Sequence, residues 1–327
     1  MNSSTQPLPL SKSVPESAPS VSVIIPAYNA ERFILEALHS IDAQHYSPLE
    51  ILLIDDGSTD GTVDLVQRLA PQVRIISQAN GGAAAARNTG LREATGEFIC
   101  FLDADDGWFP GKLAAQTAYL NAHTSVGIVF HEWHIWKPDA SGVFHPPPAI
   151  DYRVAHDGIV PELSGWIYHR LLMDCEVHTS TVMMRRSVAK EIGFFNTDLI
   201  TGEDYDYWLR ASHHCEIHKL AATFSCYRST PDGLTARPTR RNNEYDVITR
   251  AIRRWGSTSP DGTTVPRAVI EQRLANLAFG FGYLHYHRGS ARIARNAFLA
   301  SLRHDPLRWK ALAYLAVATA RSLVDWR

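Results

Sequence analysis

Short apolar runs alternate with helical patterns throughout the first part of this chain. The apolar runs are residues 21–25, 50–54, 73–76 and 98–102. Apolar residues at helical spacing occur in residues 31–44, 61–69 and 83–94. This alternation predicts an α/β fold with a mostly parallel sheet and helices on both faces. Ligands of such sheets bind beyond the carboxyl ends of the strands, so the residues after each apolar run are the first candidates for a site.

An acidic segment follows the fourth apolar run. Residues 103–106 are Asp-Ala-Asp-Asp, which places carboxylates directly after a buried strand. Their mutual repulsion costs stability unless a cation neutralises them, and Mg²⁺ or Mn²⁺ completes its oxygen shell with water and substrate phosphates. We therefore predict a divalent metal held by Asp103 and Asp105 together with a diphosphate. The alternative is a solvated acidic turn that caps the helix after Pro110.

Functional-looking residues also accompany the earlier strands. Tyr28 follows the first run, Asp55 and Asp56 follow the second, and Arg87 lies on the third predicted helix. Together they describe a nucleotide pocket in which Tyr28 stacks on a base, Asp56 accepts a hydrogen bond from it and Arg87 faces phosphates. Each residue also has a purely structural alternative. Tyr28 would be a surface aromatic ring, Asp55 and Asp56 an Asx turn with a helix cap, and Arg87 a solvated charge on its helix.

Four motifs occur in the same order as in a known family. They are Val-Ser-Val-Ile-Ile-Pro-Ala-Tyr-Asn, Ile-Asp-Asp-Gly-Ser-Thr-Asp-Gly-Thr, Asn-Gly-Gly-x4-Arg-Asn-x-Gly and Gly-Glu-Phe-Ile-x-Phe-Leu-Asp-Ala-Asp-Asp. Across roughly residues 20–230 the chain resembles the inverting family 2 glycosyltransferases. The resemblance implies a GT-A type, Rossmann-like sheet, here followed by a C-terminal helical extension.

The resemblance also implies a nucleoside-diphosphate sugar donor, expected to be a UDP-sugar. Its donor-binding residues would be Pro26, Ala27, Tyr28, Asn29, Asp56, Arg87, Asp103 and Ala104. The first three would lie along the nucleoside, with Asp56 at the base and Asp103 toward the ribose or sugar. Asp105 would bind the Mg²⁺ or Mn²⁺ ion, as the second acid of the family's Asp-x-Asp motif. Asn29 occupies a position that is often acidic in the family.

A second acidic motif lies further along the chain. Residues 202–210, Gly-Glu-Asp-Tyr-Asp-x-Trp-Leu-Arg, resemble the Glu-Asp motif that carries the family's catalytic base. Inversion requires a carboxylate within hydrogen-bond reach of the acceptor hydroxyl, opposite the leaving diphosphate. We predict that Asp204 is this base and that Glu203 supports it, with Asp206 as the alternative base. For Glu203 and Asp206 the structural alternative is a carboxylate that only complements a helix dipole.

The Tyr227-Arg228 pair resembles the ending of the family's last strand. Ser229-Thr230-Pro231 follows where the family often has a histidine. We predict that Arg228 supports the site by taking the place of that histidine over the diphosphate.

The middle of the chain carries the predicted acceptor half. Strands are predicted at residues 126–130, 179–186 and 220–228, and a short helix at 188–192. The proline-rich loop 137–149 is predicted to recognise the acceptor. His131, Trp133 and Trp136 are candidates to line a sugar site, but for Trp133 packing within the protein is favoured over this role.

The last part of the chain is predicted to be helical, at residues 243–255, 265–287, 290–304 and 307–323. A packed helical cap is favoured over a tetratricopeptide-like repeat. The basic residues Arg303, Arg308, Lys310, Arg321 and Arg327 suggest a peripheral contact with an anionic membrane surface. The predicted organisation is a disordered tail at 1–19, a glycosyltransferase domain at 20–235 and a helical region at 236–327.

Composition limits the partners of this chain. The 32 basic and 34 acidic residues leave a formal charge of -2, so no overall field favours nucleic acid. The four cysteines have no metal-binding spacing, which favours reduced thiols in the cytoplasm, and no apolar run is long enough to span a membrane. We predict a cytoplasmic protein, with any membrane contact at the inner face of the cytoplasmic membrane.

The predicted function is transfer of a sugar from a nucleoside-diphosphate donor to a hydroxyl of a glycan or lipid-linked acceptor, with inversion. Such a transfer serves the synthesis of cell-surface polysaccharides or glycoconjugates. One alternative is a catalytically inactive module that binds nucleotide sugars or glycans. The other is a nucleotidyltransferase, which more typically has a glycine-rich basic loop where this chain has Pro26-Ala27-Tyr28-Asn29.

Overall fold

The computed structural model describes residues 18–145, 158–229 and 239–324. Its strands are β1 (Val21–Ala27), β2 (Leu49–Asp55), β3 (Arg74–Ser77), β4 (Phe98–Phe101), β5 (Gly107–Trp108), β6 (Val126–Trp136), β7 (Met183–Arg185) and β8 (Glu216–Arg228). Its α-helices are α1 (Ile34–Asp42), α2 (Thr62–Leu69), α3 (Ala83–Glu93), α4 (Lys112–Ala122), α5 (Tyr168–Leu171), α6 (Arg186–Ile192), α7 (Glu203–His214), α8 (Asn243–Trp255), α9 (Arg267–Arg288), α10 (Ala291–His304) and α11 (Trp309–Val324). Short 3-10 turns occupy Pro161–Leu163 and Thr179–Thr181.

The eight strands found in the described residues form one sheet in the order β3-β2-β1-β4-β7-β6-β8-β5. The neighbouring pairs β3–β2, β2–β1 and β1–β4 are parallel, as the alternation of strands and helices predicts. Beyond β4 the sheet is mixed, because β7 runs antiparallel to both β4 and β6 while β6 and β8 pair in parallel. The predicted α/β architecture and the C-terminal helical region are both confirmed.

Close packing of α3 on β1 depends on small side chains. Ala84, Ala86 and Gly90 are all buried on this helix. A Cβ atom on Gly90 would lie 2.3 Å from a methyl group of Ile24, so only glycine allows this approach. The contact brings the helix that carries Arg87 against the central strand of the parallel half.

The first strand extends further than predicted. The predicted run covers residues 21–25 and stops before Pro26, whereas β1 continues to Ala27, which pairs with Asp55. Ile24 accepts a hydrogen bond from Leu102 on the β4 side, and Pro26 faces the same side two residues later, where β4 has already ended. The missing N–H of Pro26 therefore interrupts no hydrogen-bond ladder.

The strand predicted at residues 179–186 is wrong for most of its length. Thr179–Thr181 forms a 3-10 turn, β7 covers only Met183–Arg185, and α6 begins at Arg186. The Thr181 hydroxyl donates to the His178 carbonyl, which also accepts from the Thr181 amide. Hydroxyl side chains that bond to nearby backbone compete with strand pairing, which explains the turn.

The C-terminal helices belong to two different apolar clusters. Val247 and Ile248 of α8 and Leu274 of α9 join the large core on one face of the sheet. A separate small cluster contains Ala294, Phe298 and Ala318, from α10 and α11. The boundary predicted between residues 235 and 236 and most of the predicted tail lie outside the described residues, so the domain division stays a prediction.

Candidate active site

The carboxyl ends of β1, β2 and β4 lie side by side because these strands are parallel neighbours. The predicted donor-binding loops, which follow these strands at residues 26–29, 55–56 and 103–106, therefore meet at one edge of the sheet. The amide of Asp56 donates to the carbonyl of Ala27 at 2.8 Å, which joins the first two loops. Tyr28 is 54% exposed, so its ring is available to a ligand, whereas Ala27 and Ala104 are buried.

Asp56 and Asn29 both make contacts that shape the donor edge. The buried Asp56 carboxylate accepts from the side chain of Gln78 at 2.7 Å and from the amide of Gly82 at 2.7 Å. Asn29 adopts a positive φ of 52°, and its side-chain oxygen accepts from the amide of Thr59 at 2.8 Å. Their predicted contacts with a nucleotide stay predictions, and in this structure both residues hold neighbouring loops in place.

Arg87 connects the donor edge to the predicted base motif. Its guanidinium donates to Asp103 at 2.7 Å and to Glu203 at 2.8 Å, and the residue is only 4% exposed. Burial opposes ionisation of Asp103, but the charge and the hydrogen bond of Arg87, together with the charge of His178, outweigh burial and lower the pKa of this carboxyl. Arg87 therefore bridges two carboxylates that are a hundred residues apart in sequence. Its predicted approach to phosphates stays a prediction.

The carboxylates after β4 carry unfavourable charge. Burial and the nearby charge of Asp103 raise the pKa of Asp105 to about 6. Among the residues that the structure describes, no three metal-binding side chains converge on one point. A protein cage is therefore absent from this part of the chain, but the oxygen donors of Asp103 and Asp105 fit a cation that takes its other ligands from water and a diphosphate.

The 3-10 turn Thr179–Thr181, called here the bridging turn, joins the two acidic motifs. The Ser180 hydroxyl donates to Asp106 at 2.6 Å and accepts from the amide of Asp103 at 3.2 Å. The neighbouring Thr179 hydroxyl donates to Asp204 at 3.3 Å. The sequence analysis did not assign a site role to these residues. The signal that could have identified them is the Thr-Ser-Thr run itself, since consecutive hydroxyl residues favour local hydrogen bonds.

Asp204 and Asp206 have different surroundings in the first turn of α7. Asp204 is partly exposed, and its carboxylate also accepts from the amide of Tyr205 at 2.7 Å. Asp206 is buried and forms ion pairs with Arg210 at 2.9 Å and Arg250 at 3.7 Å. The geometry thus leaves the Asp204 carboxylate more accessible to an acceptor than that of Asp206.

Arg228 anchors the acidic loop. Its side chain donates to the carbonyl of Asp105 at 2.8 Å and forms an ion pair with Glu36, and its amide donates to the Asp106 carboxylate at 3.0 Å. The guanidinium also lies 3.8 Å from the ring centre of Trp136. The predicted contact of Arg228 with a diphosphate stays a prediction, and it would require some of these contacts to be given up.

The three candidates for a sugar site are separated. His131 is fully buried, with its ring against Phe224, and Trp136 packs on Arg228. Trp133 is partly exposed and stacks on His178, whose ring centre is 5.3 Å away. Trp133 therefore contacts the residue that precedes the bridging turn. Part of the predicted acceptor loop, from residue 146 onward, lies outside the described residues.

Comparisons with known proteins agree with this architecture. TarS of S. aureus, solved as residues 1–349 in complex with UDP-GlcNAc, superimposes with a TM-score of 0.63 at 21% identity, covering 94% of this chain and 89% of that one. The mannosyltransferase PcManGT from Pyrobaculum calidifontis, in complex with GDP-Man and Mn²⁺, gives 0.56 at 24% identity, covering 96% and 89%. The fold is therefore that of GT-A nucleotide-sugar transferases, as predicted.

The family follows from sequence similarity. The family model "Glycosyl transferase family 2" matches residues 22–157. The Escherichia coli UDP-Glc:alpha-D-GlcNAc-diphosphoundecaprenol beta-1,3-glucosyltransferase WfaP is 35% identical over 58% of this chain and 68% of its own length. Against several other relatives the chain spans only 32% to 36% of their length. The chain belongs to glycosyltransferase family 2, which confirms the resemblance and favours a glycosyltransferase over the nucleotidyltransferase alternative.

Proposed function

We propose that this protein transfers a sugar from a UDP-sugar donor to a hydroxyl of a lipid-linked glycan acceptor, with inversion, in the synthesis of a cell-surface polysaccharide or glycoconjugate. The observation that carries the proposal is the Arg87 bridge between Asp103 and Glu203. Through this bridge the predicted donor site and the predicted base share one ion-pair network, as expected of an enzyme that brings a donor and an acceptor together.

The donor is proposed from the nucleoside edge and from two relatives. Tyr28 offers an exposed ring, and Pro26, Ala27, Asn29 and Asp56 belong to the same two joined loops. TarS has been solved with UDP-GlcNAc and WfaP is named for UDP-Glc, which supports a UDP-sugar for this chain. The nucleoside would lie along β1, with its ribose or sugar toward Asp103 and Ala104.

A divalent metal, Mg²⁺ or Mn²⁺, is proposed at Asp105, with Asp103 close by. When bound, the metal supplies positive charge that neutralises the departing diphosphate. The raised pKa of Asp105 supports this assignment, because a crowded carboxylate gains most from a cation. The Mn²⁺ in the PcManGT complex is a further support. Arg228 contributes by fixing the backbone of the acidic loop.

Asp204 is proposed as the general base. Its carboxylate takes the proton of the acceptor hydroxyl, whose oxygen forms a bond to the anomeric carbon while the bond from that carbon to the diphosphate breaks. Attack from the side opposite the diphosphate inverts the configuration. The Thr179 hydroxyl and the Tyr205 amide orient the carboxylate, and Glu203 holds Arg87 beside it.

A membrane contact is proposed for the C-terminal helices, because a lipid-linked acceptor lies at a membrane surface. Leu307 and Trp309 are 89% and 70% exposed at the start of α11, next to Lys310. Within the described ranges, no helix is both long and apolar enough to cross a bilayer. Contact would therefore be peripheral, by insertion of these side chains among anionic headgroups at the cytoplasmic face. Flotation with liposomes of anionic lipid tests it: the double variant Leu307→Ser, Trp309→Ser should lose binding that the wild type retains.

Release of nucleoside diphosphate tests the catalytic proposal. The purified chain is incubated with UDP-Glc, UDP-GlcNAc, UDP-Gal or GDP-Man, with Mn²⁺ or with EDTA. We expect slow release of UDP from one donor, lost with EDTA and in Asp105→Asn, and kept in Asp64→Asn, which changes an exposed acid on α2. Binding of a donor without turnover, even with lipid-linked acceptor added, would favour the inactive binding module. No binding of any donor would overturn the proposal.

A further inference from the structure

His178 lies at the entrance to the bridging turn and joins an aromatic cluster. Its ring stacks on Trp133 with an interplanar angle of 27° and meets the edge of Tyr227 at 4.9 Å between ring centres. Trp133 comes from β6 and Tyr227 from β8, and all three residues are partly exposed. None of them belongs to β1, β2 or β4, whose ends carry the donor-binding residues.

One ring nitrogen of His178 has no partner within the described part of the chain. Its Nδ1 atom is buried and has no hydrogen-bond partner among the described residues. The next residue along the chain, Thr179, donates to Asp204 at 3.3 Å, which brings His178 near the proposed base. The charges of Asp103, Asp204 and Arg87 all influence the pKa of its ring. Burial lowers the pKa of His178 and favours the neutral ring, which has one donor and one acceptor nitrogen.

An unpaired buried nitrogen costs free energy, and an all-carbon ring would fill the same stack without that cost. Packing alone therefore does not account for a histidine at this position. A bound sugar would account for the histidine, because the hydroxyl groups of a sugar both donate and accept hydrogen bonds while its C–H faces pack on aromatic rings. The location beside Asp204 restricts the sugar to one that approaches the base.

We propose that Trp133, His178 and Tyr227 form the subsite for the acceptor sugar, in which His178 hydrogen-bonds a hydroxyl of the acceptor ring and the two flanking rings pack against it. This inference rests on the proposed function and adds the residues that select the acceptor. In this subsite His178 orients the acceptor so that its reactive hydroxyl faces Asp204, and it takes no proton itself.

Steady-state kinetics of the full chain test the subsite. The probes are the UDP-sugar found by the donor panel and a synthetic GlcNAc-diphosphate carrying a short alkyl chain. We expect His178→Ala and Trp133→Ala each to raise the KM for acceptor about tenfold, the effect of one hydrogen bond or ring contact, with the KM for donor changed less than about twofold. His178→Asn, whose amide can still hydrogen-bond, should recover most of the acceptor affinity.

The matched control is His123→Ala, which removes an exposed histidine that stacks on Tyr119 before β6 begins. It should change neither KM. Thermal unfolding of each variant checks that it is folded. Equal rises in both KM values for His178→Ala, or an unchanged acceptor KM, would overturn the subsite.

If the proposed function itself is wrong, the wild type will turn over no donor, which distinguishes this outcome from failure of the subsite alone. Binding of the same acceptor, measured by saturation-transfer NMR, would then decide on the subsite. Signal in the wild type that is lost in His178→Ala supports it, and equal signal, or none in either protein, overturns it.

Discussion

The donor edge and the bridging turn reach the same site by different means. At the donor edge, the parallel ladders of β1, β2 and β4 deliver the loops, and backbone hydrogen bonds continue from the strands into them. The bridging turn has no such ladder. It is held by side chains, and the indole of Trp108 donates to the Ser180 carbonyl at 2.8 Å while the amide of Gln116 donates to the Thr181 carbonyl at 2.8 Å.

Buried polar groups on α4 stabilise the residues that hold the bridging turn. Lys112 is fully buried on α4 and donates to Gln116 at 2.8 Å, and it lies over the ring of Trp108 at 4.0 Å. Regular backbone pairing therefore delivers the donor loops, which side chains such as Asp56 and Asn29 then fix, whereas the bridging turn is held mainly by individual side chains. Single substitutions should therefore damage the two sides in different ways.

The largest expected effect is on the base. Asp204→Asn removes the proton acceptor and keeps its shape, so kcat should fall by about 10³-fold while donor affinity stays unchanged. Asp206→Asn is the matched control, because it removes a carboxylate that is paired with Arg210 and Arg250. Initial rates and nucleotide titrations measure both effects. If Asp206→Asn lost more activity than Asp204→Asn, the assignment of the base would be reversed.

The second largest expected effect concerns the ion pairs by which Arg87 joins Asp103 on the donor side to Glu203 beside the proposed base. Arg87→Met should lower the free energy of unfolding by about 3–5 kcal/mol, because two carboxylates in a mostly buried site would lose their cation. The control is Arg74→Met, which breaks the exposed pair with Glu93 and should cost less than about 1 kcal/mol. Urea denaturation followed by tryptophan fluorescence measures both. Similar losses in the two variants would mean that the Arg87 bridge adds no special stability.

A pH series isolates the support under the bridging turn. Burial lowers the pKa of Lys112 to about 8, below that of a lysine in the unfolded chain. At pH values between about 8 and the ordinary lysine pKa, Lys112 is protonated more often in the unfolded chain than in the folded one. The free energy of unfolding contributed by this group therefore rises with pH over this range, by about 3 kcal/mol in total. At lower pH both states are protonated and this part of the stability is absent.

The measurement compares Lys112 with Lys112→Met by urea denaturation from about pH 6.5 to 11. Both proteins carry Cys100→Ala, since burial raises the pKa of the Cys100 thiol and its titration would lower stability over the same range. Because Cys100 raises the pKa of Lys112, its removal moves the titration of Lys112 to lower pH, and the series starts low enough to include it. The other groups around the ammonium, Trp108 and Gln116, do not titrate there, and nearby His131 is held neutral by burial. A difference between the two proteins that does not change with pH would contradict the prediction.

The smallest expected effect is that of a single hydroxyl. Ser180→Ala removes the hydrogen bonds to Asp106 and Asp103 and should lower the free energy of unfolding by about 1–3 kcal/mol, with a loss of kcat because the acidic loop shifts. Ser290→Ala, at the N-cap of α10, should cost about 1 kcal/mol and leave kcat unchanged. An unchanged kcat in Ser180→Ala would show that the bridging turn does not position the acidic loop.

Sequence alone was sufficient for the parallel half of the fold. The apolar runs that became β1, β2 and β4 are continuous and fully or nearly buried, and strands of this kind carry a strong local signal. Because parallel neighbours end at the same edge, the sequence also predicted that Tyr28, Asp56 and Asp103 would lie near one another. The family motifs added Asp204, and the structure brings it to the same site.

Only the tertiary structure determined how the two acidic motifs are joined. The sequence predicts that Arg87 faces phosphates, which stays a prediction, and that residues 179–181 belong to a strand, which is wrong. In the folded chain Arg87 bridges Asp103 and Glu203, and Ser180 connects to Asp106. These contacts link residues far apart in sequence, and their partners are selected by burial, since a buried charge or hydroxyl must find the nearest available partner. Local patterns determine where strands begin and end, but the choice among distant partners is made only when the chain packs.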